Sequence, residues 1–131
     1  MKIYYSPYNM LVSNIFDKIT EPNAVDAFEA VRSMEVGDLV LFYIGMQHQD
    51  YEDGIYAFGE VVKEPYFFID DPEHDCYGLR CVDVRIIDVN RKKPLIPGYK
   101  VLKFFVPLNR KHIIKEECYD ELLKILAGGD I

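Results

Sequence analysis

The sequence predicts an α+β fold in which a small, mostly antiparallel β-barrel of about five strands is flanked by two helices. Two apolar stretches between Val36 and Pro65, joined by a polar connection, have the composition of paired strands. A third stretch, Leu79 to Val89, alternates apolar and polar residues. Strands and helices do not alternate along the chain as they do in parallel βαβ folds. The 131 residues are predicted to form one domain.

The first third of the chain is predicted to hold one short strand and one helix. Ile3–Tyr5 is the strand, and it ends at the turn Ser6-Pro7 because proline cannot donate a ladder hydrogen bond. Asn23, preceded by Pro22, is predicted to cap a helix that ends near Ser33. The apolar residues of this helix recur at helical spacing and should face the core: Ala24, Ala27, Phe28 and Val31.

The rest of the chain is predicted to contain four strands and a final helix. The strands are Asp38–Ile44, Ile55–Lys63, Leu79–Val89 and Val101–Val106. The helix runs from about Lys115 to Leu126, and Gly128-Gly129 ends it. Its buried stripe is expected to consist of Cys118, Tyr119, Leu122, Leu123 and Leu126.

The charge is polarised along the sequence. There are 15 basic and 22 acidic residues, a net charge of −7, which argues against broad binding to many phosphates. Seven basic residues nevertheless fall between positions 91 and 111: Arg91, Lys92, Lys93, Lys100, Lys103, Arg110 and Lys111. This segment is either a local phosphate-binding patch or a solvated rim.

The cysteines and the absence of an apolar leader predict a cytoplasmic protein. Three cysteines without regular spacing, Cys76, Cys81 and Cys118, are more typical of reduced thiols than of a disulfide framework. The first residues lack the apolar core of a signal peptide, and no stretch approaches the ~20 apolar residues of a membrane span. We therefore expect no membrane association.

No motif in the sequence indicates a cofactor, a metal or catalysis. His74 and Cys76, with Cys81 further on, lack the paired spacing of a zinc site. The acidic stretch from Asp70 to Asp75 lacks the alternation of a calcium loop and is expected to be solvated. The cysteines and the scattered histidines share no motif that would activate a nucleophile. We expect no metal and no cofactor, and the sequence gives little support to enzyme activity.

Several phrases of the sequence resemble one family. The chain begins with Ile3-Tyr4-Tyr5-Ser6-Pro7, a short aromatic strand that leads into a turn. It continues with a Met-x-Val-Gly-Asp-hydrophobic-aromatic-Tyr strand from Met34 to Tyr43, and with a Gly-Ile-x-x-x-Gly-Glu-Val-Val-x-Glu-Pro-Tyr strand from Gly54 to Tyr66. A Val-Asp-Val-Arg strand and an acidic final helix complete a pattern that resembles the EVE domain of the PUA-like superfamily. The sequence differs from the family in having no Trp and in having Ile44-Gly45 where a His-Ser pair is usual.

The resemblance implies a PUA-like barrel with an aromatic pocket that accepts a modified base from DNA or RNA. A base leaves its stack at a cost of a few kcal/mol, which stacking and edge hydrogen bonds offset. The residues placed at this pocket are Ser6, Asn9, Phe28 and Tyr43. The residues placed near the nucleic-acid backbone are Arg91, Lys92, Lys93 and Arg110.

Each of the pocket residues also has a structural interpretation. Phe42 and Tyr43 point to opposite faces of their strand, and Tyr43 is favoured for the pocket because its hydroxyl needs a partner. Tyr43 could equally be a core residue, and Ser6 could cap a turn. Asn9 and Asn23 carry amides suited to a base edge, although Asn23 is better explained as a helix cap.

Three functions remain open at this point. The first is a non-catalytic reader of a modified nucleobase. The second is a small hydrolase acting on a nucleoside, for which Glu60 and Cys81 are the least implausible catalytic groups. The third is a protein-interaction module of a defence or toxin-antitoxin system, consistent with the acidic composition.

Overall fold

A computed structural model describes residues 1–10, 14–45, 50–106 and 110–128. The described part of the chain is mostly strand with few helices. Its seven strands are β1 (Ile3–Asn9), β2 (Val25–Glu29), β3 (Leu39–Gly45), β4 (Gly54–Phe67), β5 (Arg80–Val89), β6 (Ile96–Pro97) and β7 (His112–Ile113). Its helices are α1 (Gly98–Val101) and α2 (Tyr119–Leu126), with short 3-10 turns at Ile15–Asp17 and Glu116–Cys118. None of the described helices has the length and apolar character needed to cross a membrane.

The strands form one sheet. Its order is β2-β5-β4-β3-β1-β7, and β6 pairs with β4 beside this path. β1 and β3 are parallel, whereas the other pairs are antiparallel. Within the described residues no ladder joins β2 to β7, so the sheet is not closed. The predicted barrel is therefore not confirmed, and the count exceeds the expected five strands because β2, β6 and β7 were not predicted as strands.

The central strand β3 is buried on both faces, which explains its uninterrupted apolar sequence. One face carries Val40, Phe42 and Ile44, which pack with residues of β2, β4 and β5. The other carries Leu41 and Tyr43, which pack against the segment around α1 and against α2. We call these the inner face and the outer face of the sheet.

Asp38 links the start of β1 to the turn before β3. Its side chain is 3% exposed and accepts hydrogen bonds from the backbone N–H groups of Lys2 and Glu35, each at 2.9 Å. Gly37, with a φ of 94°, supplies the left-handed turn residue beside it. The Gly-Asp pair thus fixes where β1 and β3 begin relative to each other.

The predicted helix after Asn23 is wrong, because this segment is strand β2. Its residues pair with β5 in antiparallel register, from Val25 opposite Arg85 to Glu29 opposite Cys81. Asn23 is not a cap: its φ is 71°, and its N–H donates to the carbonyl of Ile86 at 2.7 Å. The ladder with β5 outweighs the helical spacing of the apolar side chains, since β structure depends on neighbouring strands.

The predicted strand Val101–Val106 is also wrong. Pro97 precedes α1, and Val101 is the last residue of that short helix. The N–H of Phe104 then donates to the carbonyl of Val101 at 2.9 Å, which closes a turn. Val101 and Phe104 are buried, so the apolar residues that suggested a strand pack into the outer core from a turn.

The other predicted elements are confirmed with shifted ends. β3, β4 and β5 cover the three long predicted strands, and α2 lies within the predicted final helix, with Tyr119 and Leu122 buried. β1 continues to Asn9 instead of ending before Ser6. Among the described residues β7 pairs with β1 at Tyr4 and Tyr5, so Pro7 lies beyond that ladder, where its missing N–H costs no bond to β7.

Gly59 lies where β4 and β5 come too close for a side chain. A β-carbon there would lie 2.7 Å from the carbonyl oxygen of Arg85 and 2.6 Å from Val84 Cγ1. We expect Gly59→Ala to lower the free energy of unfolding by about 1–3 kcal/mol, because the backbone must move. Urea denaturation measures this change. Val62→Ala, at an exposed position of the same strand, should change it by less than about 0.5 kcal/mol; equal effects of the two substitutions would contradict the close approach.

Candidate nucleic-acid interface

The sheet separates the predicted pocket residues. Ser6 pairs in register with Phe42, and Phe28 of β2 contacts the Phe42 ring at 5.0 Å between centroids. Ser6 is 1% exposed and donates a hydrogen bond to the hydroxyl of Tyr8 at 3.1 Å. The Tyr8 ring lies 5.9 Å from that of Phe42. Ser6 and Phe28 therefore belong to the inner face, with Tyr8 and Phe42 as their aromatic neighbours.

Tyr43 belongs to the outer face. Its ring packs 5.4 Å from that of Tyr5, and it is 7% exposed. Burial, reinforced by the carboxylate of Asp53, raises the pKa of Tyr43 to about 12. Asn9 is half-buried at the end of β1, opposite Gly45, and the alternation of the strand puts it on the opposite side from Ser6 and Tyr8. The structure does not bring the four predicted residues into one pocket.

Two cavities differ in their linings: the outer cavity adjoins Tyr43 of the outer face, and the inner cavity adjoins β1 and the end of β2. The outer cavity has a volume of about 520 Å³ and is lined by Tyr43, Glu52, Asp53, Gly98, Tyr99 and Leu102. The inner cavity has a volume of about 310 Å³ and is lined by Pro7, Glu29, Ala30, Val31, Arg110 and Lys111. The first has the carboxylates of Glu52 and Asp53, whereas the second combines the Arg110 guanidinium and the Lys111 ammonium with the single carboxylate of Glu29. Phosphate is therefore favoured at the inner cavity.

The inner cavity is built on the ends of β1 and β2. Glu29 follows Phe28 in β2, and the ammonium of Lys111 donates to the Glu29 carbonyl at 2.9 Å. The ammonium of Lys18 lies 4.1 Å from the centre of the Phe28 ring and donates to the carbonyl of Ala27 at 2.6 Å. The side-chain amines of Lys18 and Lys111 thus both bind backbone carbonyls of the edge strand β2.

Burial shifts the pKa of two groups in this region. It lowers the pKa of Lys111, and the carboxylate of Glu29 opposes this effect. It raises the pKa of Tyr8 above its ordinary value, while the hydrogen bond from Ser6 acts in the opposite direction. Both side chains are half-buried in the structure.

The predicted phosphate-binding residues are in different surroundings. Arg110 lines the inner cavity. Arg91 instead donates to the carbonyl of Phe16 at 2.7 Å and lies 5.3 Å from the centre of its ring. Lys92 and Lys93 are exposed, and their backbone N–H groups donate to the side chain of Asn90. Of these four residues, the structure places Arg110 at the cavity and gives Arg91 a structural contact.

A cluster of possible metal ligands lies beside Lys18. The donor atoms of His74, Asp75 and Cys76 fall within 4.8 Å of one another. The Lys18 ammonium already lies 3.1 Å from both carboxylate oxygens of Asp75 and 3.7 Å from the Cys76 sulfur. His74 pairs with Asp26 through Nε2 at 2.7 Å and accepts the Cys76 N–H at 2.9 Å through Nδ1. The Lys18 ammonium thus already supplies a positive charge next to the Asp75 carboxylate.

The thiols and the carboxylate considered for catalysis also have structural partners. Burial raises the pKa of Cys76 to about 12, which disfavours the thiolate. Cys81 is fully buried and donates to the carbonyl of Leu79 at 3.4 Å. Glu60 accepts a hydrogen bond from Arg85 at 3.2 Å. Glu60 and Cys81 are both outside the lining of the inner cavity.

Sequence reasoning missed Tyr8, Lys18 and Glu29. Tyr8 was detectable in principle, because it lies two residues after Ser6 and shares its face once β1 continues past Pro7. Glu29 was assigned to a helix that is not formed. Lys18 precedes an irregular segment, and no sequence signal connects it to Phe28 or Asp75.

The fold is shared with several solved structures. A hypothetical protein from Leishmania major aligns over 98% of this chain and 96% of its own, with a TM-score of 0.64 and 16% identity. Human THYN1, solved in complex with 5-methylcytosine-containing DNA, aligns over 95% and 97%, with a TM-score of 0.63 and 17% identity. The protein PSPTO5229 from Pseudomonas syringae aligns over 94% and 98%, with a TM-score of 0.59 and 18% identity.

A comparison of the sequence with family models identifies the family of this chain. No curated protein matches this chain in sequence. The model of the EVE domain, however, matches residues 12–110, which is most of the chain and includes β2 through β6. The chain belongs to the EVE domain family.

Proposed function

We propose that this protein binds nucleic acid and takes a modified nucleobase of DNA or RNA into the inner cavity. The observation that carries the proposal is the combination of Arg110, Lys111 and Glu29 around one opening. A structurally similar protein, human THYN1, was solved with 5-methylcytosine-containing DNA, which supports this class of ligand. The volume of about 310 Å³ is at the lower end of the range for small-molecule sites.

The lining of the cavity suits a single base. The rings and methyl groups of Pro7 and Val31 offer apolar contact to its faces, and the carboxylate of Glu29 can accept a hydrogen bond from an exocyclic amine. Phe28 is 4% exposed and Phe42 is fully buried, and neither ring lines the cavity. Apolar contact to a base therefore comes from the lining residues themselves.

The charge of the molecule fits recognition through few phosphates. A net charge of −7 opposes a long phosphate track, whereas one guanidinium beside the cavity suffices to position the nucleotide that enters it. The acidic outer cavity is expected to face away from the nucleic acid. Specificity is then a property of the inner cavity.

The test is binding of fluorescent oligonucleotides, with and without 5-methylcytosine, as DNA and as RNA. We expect Arg110→Ala to weaken binding of modified and unmodified strands alike, and to reduce the slope of log affinity against log salt by about 1. Lys103→Ala is the matched control, since this exposed lysine lies on the outer side beside Phe104. It should leave the affinity and the slope unchanged.

Two results would count against the proposal. Equal affinity for modified and unmodified strands of every type would remove the modified-base part. Equal effects of Arg110→Ala and Lys103→Ala would remove the inner cavity as the binding site. Tyr99→Ala, in the wall of the outer cavity, tests that cavity instead and is expected to bind like the unchanged protein.

A further inference from the structure

Lys111 differs from a fully exposed surface lysine because it is partly buried and its nitrogen is held in place by a hydrogen bond. Its side chain is half-buried, lines the inner cavity, and its nitrogen is held at 2.9 Å from the Glu29 carbonyl. The hydrogen bond fixes the nitrogen but uses only one of its protons. A carbonyl oxygen also accepts from a neutral amine, so this contact does not require the charged form.

The surroundings of Lys111 favour the neutral amine more than water does. Burial lowers its pKa, and the nearby Lys18 ammonium acts in the same direction. The Glu29 carboxylate and the thiols of Cys76 and Cys81 act in the opposite direction, and the net shift is downward. Desolvation and a neighbouring cation are the two ways in which proteins make a lysine nucleophilic.

We propose that Lys111 is a reactive amine that condenses with an aldehyde held in the inner cavity. The lone pair of its nitrogen attacks the carbonyl carbon, a C–N bond forms, and the π electrons move to the oxygen. The oxygen takes up a proton from water, and the resulting carbinolamine loses water to give a Schiff base. The Glu29 carboxylate lines the same cavity, and through a bridging water it can accept a proton from the nitrogen and return it to the departing hydroxyl.

The aldehyde that suits this cavity is the ring-opened sugar of an abasic nucleotide. This sugar carries an aldehyde and, on both sides, phosphates that the guanidinium of Arg110 can bind. It lacks a base, so it needs less room than the nucleotide of the proposed function. The choice of a nucleic-acid aldehyde rests on that function, whereas the reactivity of Lys111 does not.

The first experiment uses the whole protein and an oligonucleotide with one abasic site, in the presence of borohydride. The hydride reduces the Schiff base to a stable secondary amine, and peptide mapping locates it. We expect the adduct on Lys111, and we expect Lys111→Arg to lose most of it. Lys103→Arg is the control and should keep it. An adduct spread over surface lysines, or one unchanged in the Lys111→Arg variant, overturns the proposal.

The second arm replaces the oligonucleotide with a small phosphorylated aldehyde. Trapping at Lys111 by both aldehydes supports the proposal as stated. Trapping by the small aldehyde but not by the abasic strand supports the reactive amine and overturns the nucleic-acid source. No preference for Lys111 with either aldehyde overturns the reactive amine, whatever the outcome of the binding experiments with modified strands.

A third measurement separates reactivity from folding. Thermal unfolding shows whether Lys111→Arg and Glu29→Gln are folded. In folded protein, Glu29→Gln should slow adduct formation while leaving Lys111 as its site. If folded Glu29→Gln forms the adduct at the unchanged rate, the proton-transfer role of Glu29 is wrong.

Discussion

Replacing Phe42 with alanine should lower the free energy of unfolding by about 3–5 kcal/mol. Phe42 is fully buried in the central strand β3, between Phe28 at 5.0 Å and Tyr8 at 5.9 Å. Offset and tilted ring pairs of this kind add to the free energy of burial. Strands flank β3 on both sides, so the backbone cannot collapse into the space that the ring leaves. Urea denaturation followed by circular dichroism measures the loss.

The same substitution at an exposed phenylalanine is the matched control. Phe67 ends β4 and is 69% exposed, so Phe67→Ala should change the free energy of unfolding by less than about 0.5 kcal/mol. Phe42→Leu keeps most of the volume and should cost less than Phe42→Ala. If Phe42→Ala and Phe67→Ala have similar costs, the ring of Phe42 does not hold the inner core as described.

The long strands were predictable because each sequence pattern has one physical explanation. β3 is a continuous apolar run between Asp38 and Gly45, which fits a strand covered on both faces. β5 alternates Val82, Val84 and Ile86 with polar residues, which fits a strand with one buried face. Local sequence determines these features, and they hold whatever the neighbouring strands are.

β2 was not predictable in the same way. Ala27 and Phe28 have helical spacing relative to Ala24 and Val31, and short apolar sequences of this kind are compatible with either structure. The choice is made by β5, whose edge would otherwise keep unpaired N–H and C=O groups. That information lies more than fifty residues away in the sequence.

The candidate site was partly predictable. Arg110 lines the inner cavity, whereas Ser6 and Phe28 lie on the inner face of the sheet beside Tyr8 and Phe42. Tyr43 is on the outer side because its neighbour Phe42 pairs with Ser6, and this register comes from the parallel contact of β1 with β3. The sequence shows that Phe42 and Tyr43 face opposite sides, but it does not show which side has the cations.

The two cavities differ in charge although the protein as a whole is acidic. Glu52 and Asp53 line the outer cavity, whereas Arg110 and Lys111 line the inner one together with Glu29. The net charge of −7 therefore describes neither cavity. Electrostatic steering by the inner side should then orient a nucleic acid, and salt should weaken this effect.

Raising the pH above about 9 should destabilise the protein steeply. Burial raises the pKa of Cys76 from 9.0 and that of Tyr43 from 10.0, each to about 12, and also raises that of Tyr5. The folded protein therefore keeps these protons when the unfolded chain has lost them. Stability is fully present below the unfolded values and falls as the pH rises from about 9 toward about 12.

The slope of the free energy of unfolding against pH measures how much each of these groups contributes to the loss. Each group contributes about 1.4 kcal/mol per pH unit between its unfolded and its folded pKa. Tyr43→Phe removes one of these groups and should therefore reduce the slope by about 1.4 kcal/mol per pH unit between about pH 10 and pH 12. Ile55→Val is the matched control: its fully buried side chain packs in the same core, and the substitution should cost about 0.5–1.5 kcal/mol at every pH without changing the slope. Urea denaturation at several pH values measures the slope for each variant. Equal slopes for the Tyr43→Phe variant and the unchanged protein would contradict the prediction. They would mean that the Tyr43 hydroxyl ionises as readily in the folded state as in the unfolded chain.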